Sequence, residues 1–366
     1  MSRPTPRPSS GPTDKPVAEK HPEKGPEKGP IRQWVDAFVF AFLVMVFVRT
    51  LFFDLFRIPT PSMEKNLLVG DYLFVSKLHY GTRLPLSLGL PFSEWYLPGV
   101  NFPYLRGPAF SSVKRGDAIV FNWPADALYK PVDRKMHYIK RVVGLPGERF
   151  ELIDKVVYND DIAYPMDARM QQQWLVRTND PRIQLSNQQL GALGVEEWSR
   201  TNDPTLLQIV ATPGAAEAIA SWSWVEEVTP YVLPDVPAAQ RGVFPGDLGF
   251  TRDNFGPVVI PKAGMTVPLN DENFSTYSRV IQIYEGHQAE RRTDGAILID
   301  GAVADSYTFS QDYFFVMGDN RDNSEDARYW GFVPMEYVVG KAVLVYFSWD
   351  ADRMLPRFSR LMHLIN

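Results

Sequence analysis

The longest unbroken apolar pattern lies near the N-terminus, from Val35 to Phe56. As a helix these 22 residues reach roughly 33 Å, the thickness of a bilayer core. Its uncharged centre, Ala37–Val48, is short, but Asp36, Arg49 and Asp54 stand near the ends, where their side chains reach the interface. Trp34 suits the aromatic belt, and no small-residue cleavage site follows, so the pattern predicts a retained anchor over 31–56. Lys20, Lys24, Lys28 and Arg32 precede it, which places the N-terminus in the cytoplasm and the rest of the chain outside. No second segment of that length and apolarity follows.

Beyond the anchor the pattern changes to short runs rich in Val, Ile, Phe and Tyr. They cover Asp71–Tyr80, Asp117–Trp123, His137–Val143, Phe150–Tyr158, Phe314–Met317 and Tyr337–Ser348, and turn residues such as Pro146-Gly147 bound them. Ala296–Ile299, Asp300-Gly301 and Ala302–Phe309 read as a hairpin on a type I′ turn. Between about 165 and 230, Ser186 and Thr212-Pro213 read as helix starts, alternating with strands around Trp174–Arg177 and Leu206–Val210. The string Arg-Thr-Asn-Asp-Pro occurs at 177–181 and again at 200–204, a weak sign of duplication. The fold class is mostly β, with an α+β insertion.

Composition removes several chemistries. The 366 residues contain no cysteine, which excludes disulfides, thiolate metal sites and cysteine nucleophiles. A net charge of −5 argues against nucleic acid as a partner. Residues 1–30 hold eight prolines and almost nothing apolar, which predicts a disordered tail. Asp319, Asp322, Glu325 and Asp326 do not make a calcium loop, because Ala327 stands where glycine must turn the chain.

Two serine chemistries compete around Ile58-Pro59-Thr60-Pro61-Ser62-Met63-Glu64-Lys65. Ser62-x-x-Lys65 matches the penicillin-recognising signature, but its companion Lys-Thr-Gly and Ser-x-Asn elements are missing. In the other, two prolines hold a rigid turn carrying two hydroxyls just past the anchor. None of His21, His79, His137, His287 and His363 falls in a motif that would activate the serine. A lysine can take that part only when neutral, and an exposed one is neutral at pH 7 about once in 2,500 molecules. Lys140 lies in a strand run with Tyr138 and Val142 on its own face, where desolvation lowers its pKa.

The Ile58–Met63 segment with Leu67–Asp71, then Arg115–Phe121, Tyr138–Glu148 and Gly318–Pro334, together resemble bacterial signal peptidase I, in the family's order and behind an N-terminal anchor. The resemblance implies a signal-peptidase-like β core with one transmembrane helix. Its core covers 57–158 and 311–350, with 159–310 an inserted second domain and 351–366 a C-terminal tail. It implies Ser62 as nucleophile, Lys140 as general base, and an oxyanion hole of the Ser62 N–H and the Thr60 hydroxyl. Ser324 would orient Lys140, and Asp326 with Arg328 would brace the loop. Phe56, Ile58, Leu67, Tyr138 and Ile139 would wall pockets for small side chains. Pro61 replaces the family's usual glycine, and Thr60 its usual serine.

The activity implied is removal of signal peptides from exported preproteins at the outer face of the bacterial cytoplasmic membrane. The partners implied are those peptides, the lipid bilayer and the secretion translocon; no metal or organic cofactor is implied. A self-cleaving Ser–Lys repressor and a non-catalytic membrane-tethered adaptor are the rival readings.

Overall fold

The computed structural model describes residues 29–90, 93, 95–183, 185–233 and 242–365. The expected disordered tail, except for Gly29 and Pro30, lies outside them. Two units are distinct, Met1–Met45 and Val46–Asn366.

A helix runs from Pro30 to Leu51, with no buried residue and Arg49 in its last turn. Among the described residues it is the one helix long and apolar enough to cross a membrane. Its length matches the expected span, but it lies five residues earlier in the chain. Phe53–Arg57 is a strand paired antiparallel with Asp71–Ser76, from Phe53 opposite Ser76 to Arg57 opposite Tyr72. Asp54 is therefore not a charge at a helix end. It is held by Arg49 and by Lys77, whose amine lies 3.3 Å away. Lys77 also donates to the Arg49 carbonyl at 2.7 Å.

The body is mostly β. Its largest sheet is antiparallel and runs Phe53–Arg57, Asp71–Ser76, Val338–Asp350, Ala118–Asn122, His137–Gly144, Tyr313–Met317 and Val333–Pro334. Three of the neighbouring pairs join distant parts of the chain, among them His137–Gly144 with Tyr313–Met317, and the segments around 62, 140 and 320 are thereby brought together. One face packs on a core containing Phe121, Phe150, Phe255, Phe315 and Phe332. Opposite it a smaller cluster gathers Ile58, Met63, Leu67, Leu73, Val120 and Val345. The C-terminal residues return to the sheet through Leu355–Pro356 and His363–Leu364, both paired with Val338–Asp350.

The run Phe150–Tyr158 is two strands, Arg149–Ile153 and Val156–Asn159, turning at Asp154-Lys155 with φ of 46° and 71°. The hairpin at 300–301 forms, with Leu298 opposite Val303 and Asp300 at φ 51°. Ser186 and Thr212 cap the helices Asn187–Ala192 and Pro213–Ala220, each accepting a backbone N–H. These helices pack on the sheet of Glu197–Arg200, Leu206–Ala211, Gln172–Thr178 and Val225–Pro230, with its own core around Val176, Leu207 and Ile209. The later part of 159–310 belongs elsewhere. Phe255–Val259 pairs with Arg149–Ile153, and Val267, Tyr277 and Ile281 join the main core.

Candidate active site

Ser62 sits in the loop joining the first two strands. Pro59 and Pro61 fix φ on either side of Thr60, which is extended at φ −129°, and Pro61–Met63 forms one 3-10 turn. The loop is closed at its base, where Ile58 N–H donates to the Asp71 carbonyl and Gly70 N–H to the Ile58 carbonyl. Gly70 has φ +93°, and a Cβ there would lie 2.2 Å from the Trp349 carbonyl oxygen, so only glycine fits. Met63 and Leu67 are sealed in the smaller core, which holds Ser62 at a fixed height above it.

Lys140 lies mid-strand, opposite Ile119, and is 4% exposed. Its amine is 2.7 Å from Ser62 Oγ and donates to the Ile139 carbonyl at 3.1 Å. It also lies 5.3 Å from the Tyr138 ring centroid, and that ring stacks on Trp123 at 5.0 Å. Burial lowers its pKa to about 8, against the opposing pull of Asp326, Asp319 and Glu325. At pH 7 such an amine is neutral in about one molecule in eleven, some two-hundredfold more often than in water.

A third segment, Met317 to Arg328, holds the pair from behind. Asn320 N–H donates to the Ser62 carbonyl at 3.1 Å and its side-chain amide to the Pro61 carbonyl at 3.3 Å. Asp319 accepts two bonds from Arg141, both 2.8 Å, and one from Asn66 at 2.8 Å. Arg141 thus faces the loop from the side of the strand opposite Lys140. Arg328 and Asp326 form a fully buried fork, with Nε and Nη2 each 2.8 Å from a carboxylate oxygen. Burial raises the Asp326 pKa, but Arg328 outweighs it and holds the carboxyl below its ordinary value. Asp326 also accepts from Gly318 N–H at 3.0 Å.

The other expected residues divide by position. Ser324 is buried beside Gly318, and a Cβ at 318 would lie 2.2 Å from Ser324 Oγ and 2.5 Å from the Ser62 carbonyl oxygen. Ser324 lies against the Asp326 carboxylate and helps lower its pKa, whereas the polar contacts of the Lys140 amine are Ser62 and Ile139. Thr60 is exposed at the mouth of the loop. Phe56, Tyr138 and Ile139 are half-buried, Phe56 packing on His137 with centroids 4.9 Å apart. Ile58 and Leu67, 2% and 0% exposed, lie in the smaller core against which Phe56 and Ile139 pack, whereas Tyr138 packs against the larger one. Lys65 has φ +75° and its amine lies 3.4 Å from Glu196. His79 bonds Ser76 and His287 bonds Asp300.

Two features were not foreseen. One is the Arg141–Asp319–Asn66 network, although a charged residue next to Lys140 in a buried strand had to find a partner. The other is Lys155 at the hairpin turn, whose buried amine lies 2.6 Å from Asp322. Asp322 also accepts from Gln173 N–H, and Gln171 pairs with Asn320. The insertion is thereby tied to the loop behind Ser62.

The family profile for signal peptidase, peptidase S26, matches residues 31–202 and 259–349, well over half of the chain. Signal peptidase I of Pseudomonas aeruginosa is 26% identical over 331 residues, covering 87% of this chain and 74% of that protein. Signal peptidase I of Buchnera aphidicola from Schizaphis graminum is 24% identical over 308 residues, covering 84% and 72%. A shorter match, to signal peptidase I of Rickettsia akari, is 35% identical over 120 residues, 32% of this chain and 39% of that protein. The segments that meet around Ser62 and Lys140 all fall inside the matched ranges, and the chain belongs to the signal peptidase family, the S26 peptidases that remove signal peptides.

Proposed function

We propose that Ser62 is the nucleophile and Lys140 the general base, in a protease that cuts exported preproteins after a small residue. The observation that carries this is the 2.7 Å approach of a buried amine, lowered to about pKa 8, to a hydroxyl held rigid by two prolines. A neutral amine has one lone pair. With one N–H spent on the Ile139 carbonyl, the lone pair takes the Ser62 proton as Oγ attacks the scissile carbonyl. The ammonium then returns that proton to the departing amine, leaving an acyl-enzyme. Lys140 next deprotonates a water, which attacks the ester, and the ammonium gives that proton to Ser62 Oγ as the acyl group leaves.

Developing charge on the carbonyl oxygen needs donors. Ser62 N–H, at the start of a 3-10 turn, belongs to the set that helix starts leave unspent, and the Thr60 hydroxyl stands two residues before it. Ser324, buried beside Gly318, would steady the amine during turnover. Asp326 and Arg328 hold its loop in register. Phe56 and Ile139, packed on Ile58 and Leu67, and Tyr138 beside the Lys140 amine would wall shallow pockets for small side chains before the cut. Cleavage would occur at the outer face of the cytoplasmic membrane beside the translocon, with the N-terminus inside. Exposed Leu88, Leu90, Trp95 and Leu97, along the Ser87–Gly89 and Tyr96–Asn101 hairpin, support a body resting on lipid.

The test is purified full-length protein in detergent micelles with a preprotein, read by mass spectrometry. A single cut after a small residue, lost in Ser62→Ala and Lys140→Ala, is expected. Cleavage that survives Ser62→Ala overturns the assignment.

A further inference from the structure

Arg321 is a buried cation that no carboxylate among the described residues pairs with. It is 6% exposed, Nη2 leans on the Met170 sulfur at 3.3 Å, and Nε is buried with no acceptor. The buried carboxylates of its own loop are committed elsewhere: Asp319 to Arg141 and Asn66, Asp322 to Lys155 and Arg252, Asp326 to Arg328. Burial and then Arg328 lower its pKa to about 10, so it remains charged at neutral pH. A buried charge lacking a counter-ion is strongly unfavourable, and sulfur is a weak acceptor.

Arg321 lines a cleft of 440 Å³ on the side of the lysine strand that carries Arg141. The other cations of this cleft are satisfied. Arg115 bonds Glu148 at 2.6 Å and lies 4.0 Å over the Tyr164 ring, Arg141 holds Asp319, and Arg169 reaches Asp167 at 3.5 Å. Four guanidinium groups thus line one cleft with a single lining carboxylate, Asp167. We propose that this cleft binds a small oxyanion, a phosphate, sulfate or carboxylate group, as counter-ion to Arg321, with Arg169 and Arg115 at its rim.

Such a ligand would act on the loop that holds the nucleophile. Arg321 N–H donates to the Gln171 carbonyl, and the preceding residue, Asn320, donates to the Ser62 carbonyl. Neutralising the Arg321 charge would fix this loop without touching the dyad.

The experiment is thermal unfolding of the full chain in detergent micelles, titrated with inorganic phosphate against chloride at matched ionic strength. A second arm replaces phosphate with phosphatidylglycerol in the micelles, phosphatidylcholine being the control, which separates a free anion from a lipid headgroup. The melting temperature should climb with phosphate, by about 5 °C near a hundred times the dissociation constant. Arg321→Met should abolish the climb. Should that variant not fold, Arg169→Glu, at the half-buried rim, should weaken phosphate binding about tenfold by reversing one charge. A response to phosphatidylglycerol alone supports the site and assigns it to a headgroup. The proposal is overturned by no response beyond the two controls, or by an equal response in Arg321→Met and Arg169→Glu, which means an adventitious ion only.

Discussion

Replacing Lys140 with methionine should destroy activity yet make the protein more stable at neutral pH. The lysine amine is 4% exposed and its pKa falls from 10.5 to about 8 on folding. A fall of that size means that holding the amine protonated in the folded state costs about 3 kcal/mol, at 1.36 kcal/mol per unit. Methionine fills a similar volume without the charge. It forfeits the contacts with Ser62 Oγ and the Ile139 carbonyl, each worth about 1 kcal/mol. A net gain of about 1–2 kcal/mol is expected below pH 8. Because the folded pKa is depressed, the parent binds fewer protons folded than unfolded between about pH 8 and 10.5, and so regains stability as pH rises through that window. The advantage of the variant should therefore shrink across it, by about 1.4 kcal/mol per pH unit, and reverse near pH 9. Denaturant titrations of both proteins in the same detergent at pH 7 and pH 10 measure this. A stability difference that does not change with pH would refute the reasoning, since the amine would then bear no burial penalty.

Thr60→Val should lower kcat about a hundredfold with little change in melting temperature, because Thr60 is exposed and, on the proposed mechanism, its hydroxyl serves the developing oxyanion. A parental rate would remove it from the oxyanion hole. Gly318→Ala should cost both stability and rate, since the new Cβ meets Ser324 Oγ and the Ser62 carbonyl oxygen below 3 Å; parental kinetics would mean the loop yields freely. Lys65→Ala should leave kcat/KM within about twofold of the parent and stability within about 1 kcal/mol, because its partner Glu196 is largely exposed. Loss of activity there would favour the Ser-x-x-Lys chemistry.

Much of the site was legible because its residues obey short-range rules. Prolines on both sides of Thr60 announced a rigid turn, and strand alternation put Lys140 beside Tyr138, where its amine lies in the structure. The anchor was legible in length but not in register. The run Phe52–Phe56 is apolar enough for either state, and pairing with Asp71–Ser76 decides for strand, which no local pattern encodes. The turn at Asp154-Lys155 was missed because lysine rarely takes a positive φ; its buried contact with Asp322, far along the chain, compensates. The Arg141–Asp319 fork was hidden for the same reason, its partners lying 178 residues apart. The insertion resembled one block in composition, but only Gln172–Pro230 encloses a separate core, because Phe255–Val259 is captured by the hairpin of the catalytic part.

The most direct measurement is titration of the Lys140 amine itself, by NMR of lysine labelled with 13C at Cε in the full-length protein in micelles, the signal assigned by its loss in Lys140→Arg. The account predicts a midpoint near pH 8, well apart from the surface lysines. A midpoint at about 10.4, the value of a lysine in water, would contradict it.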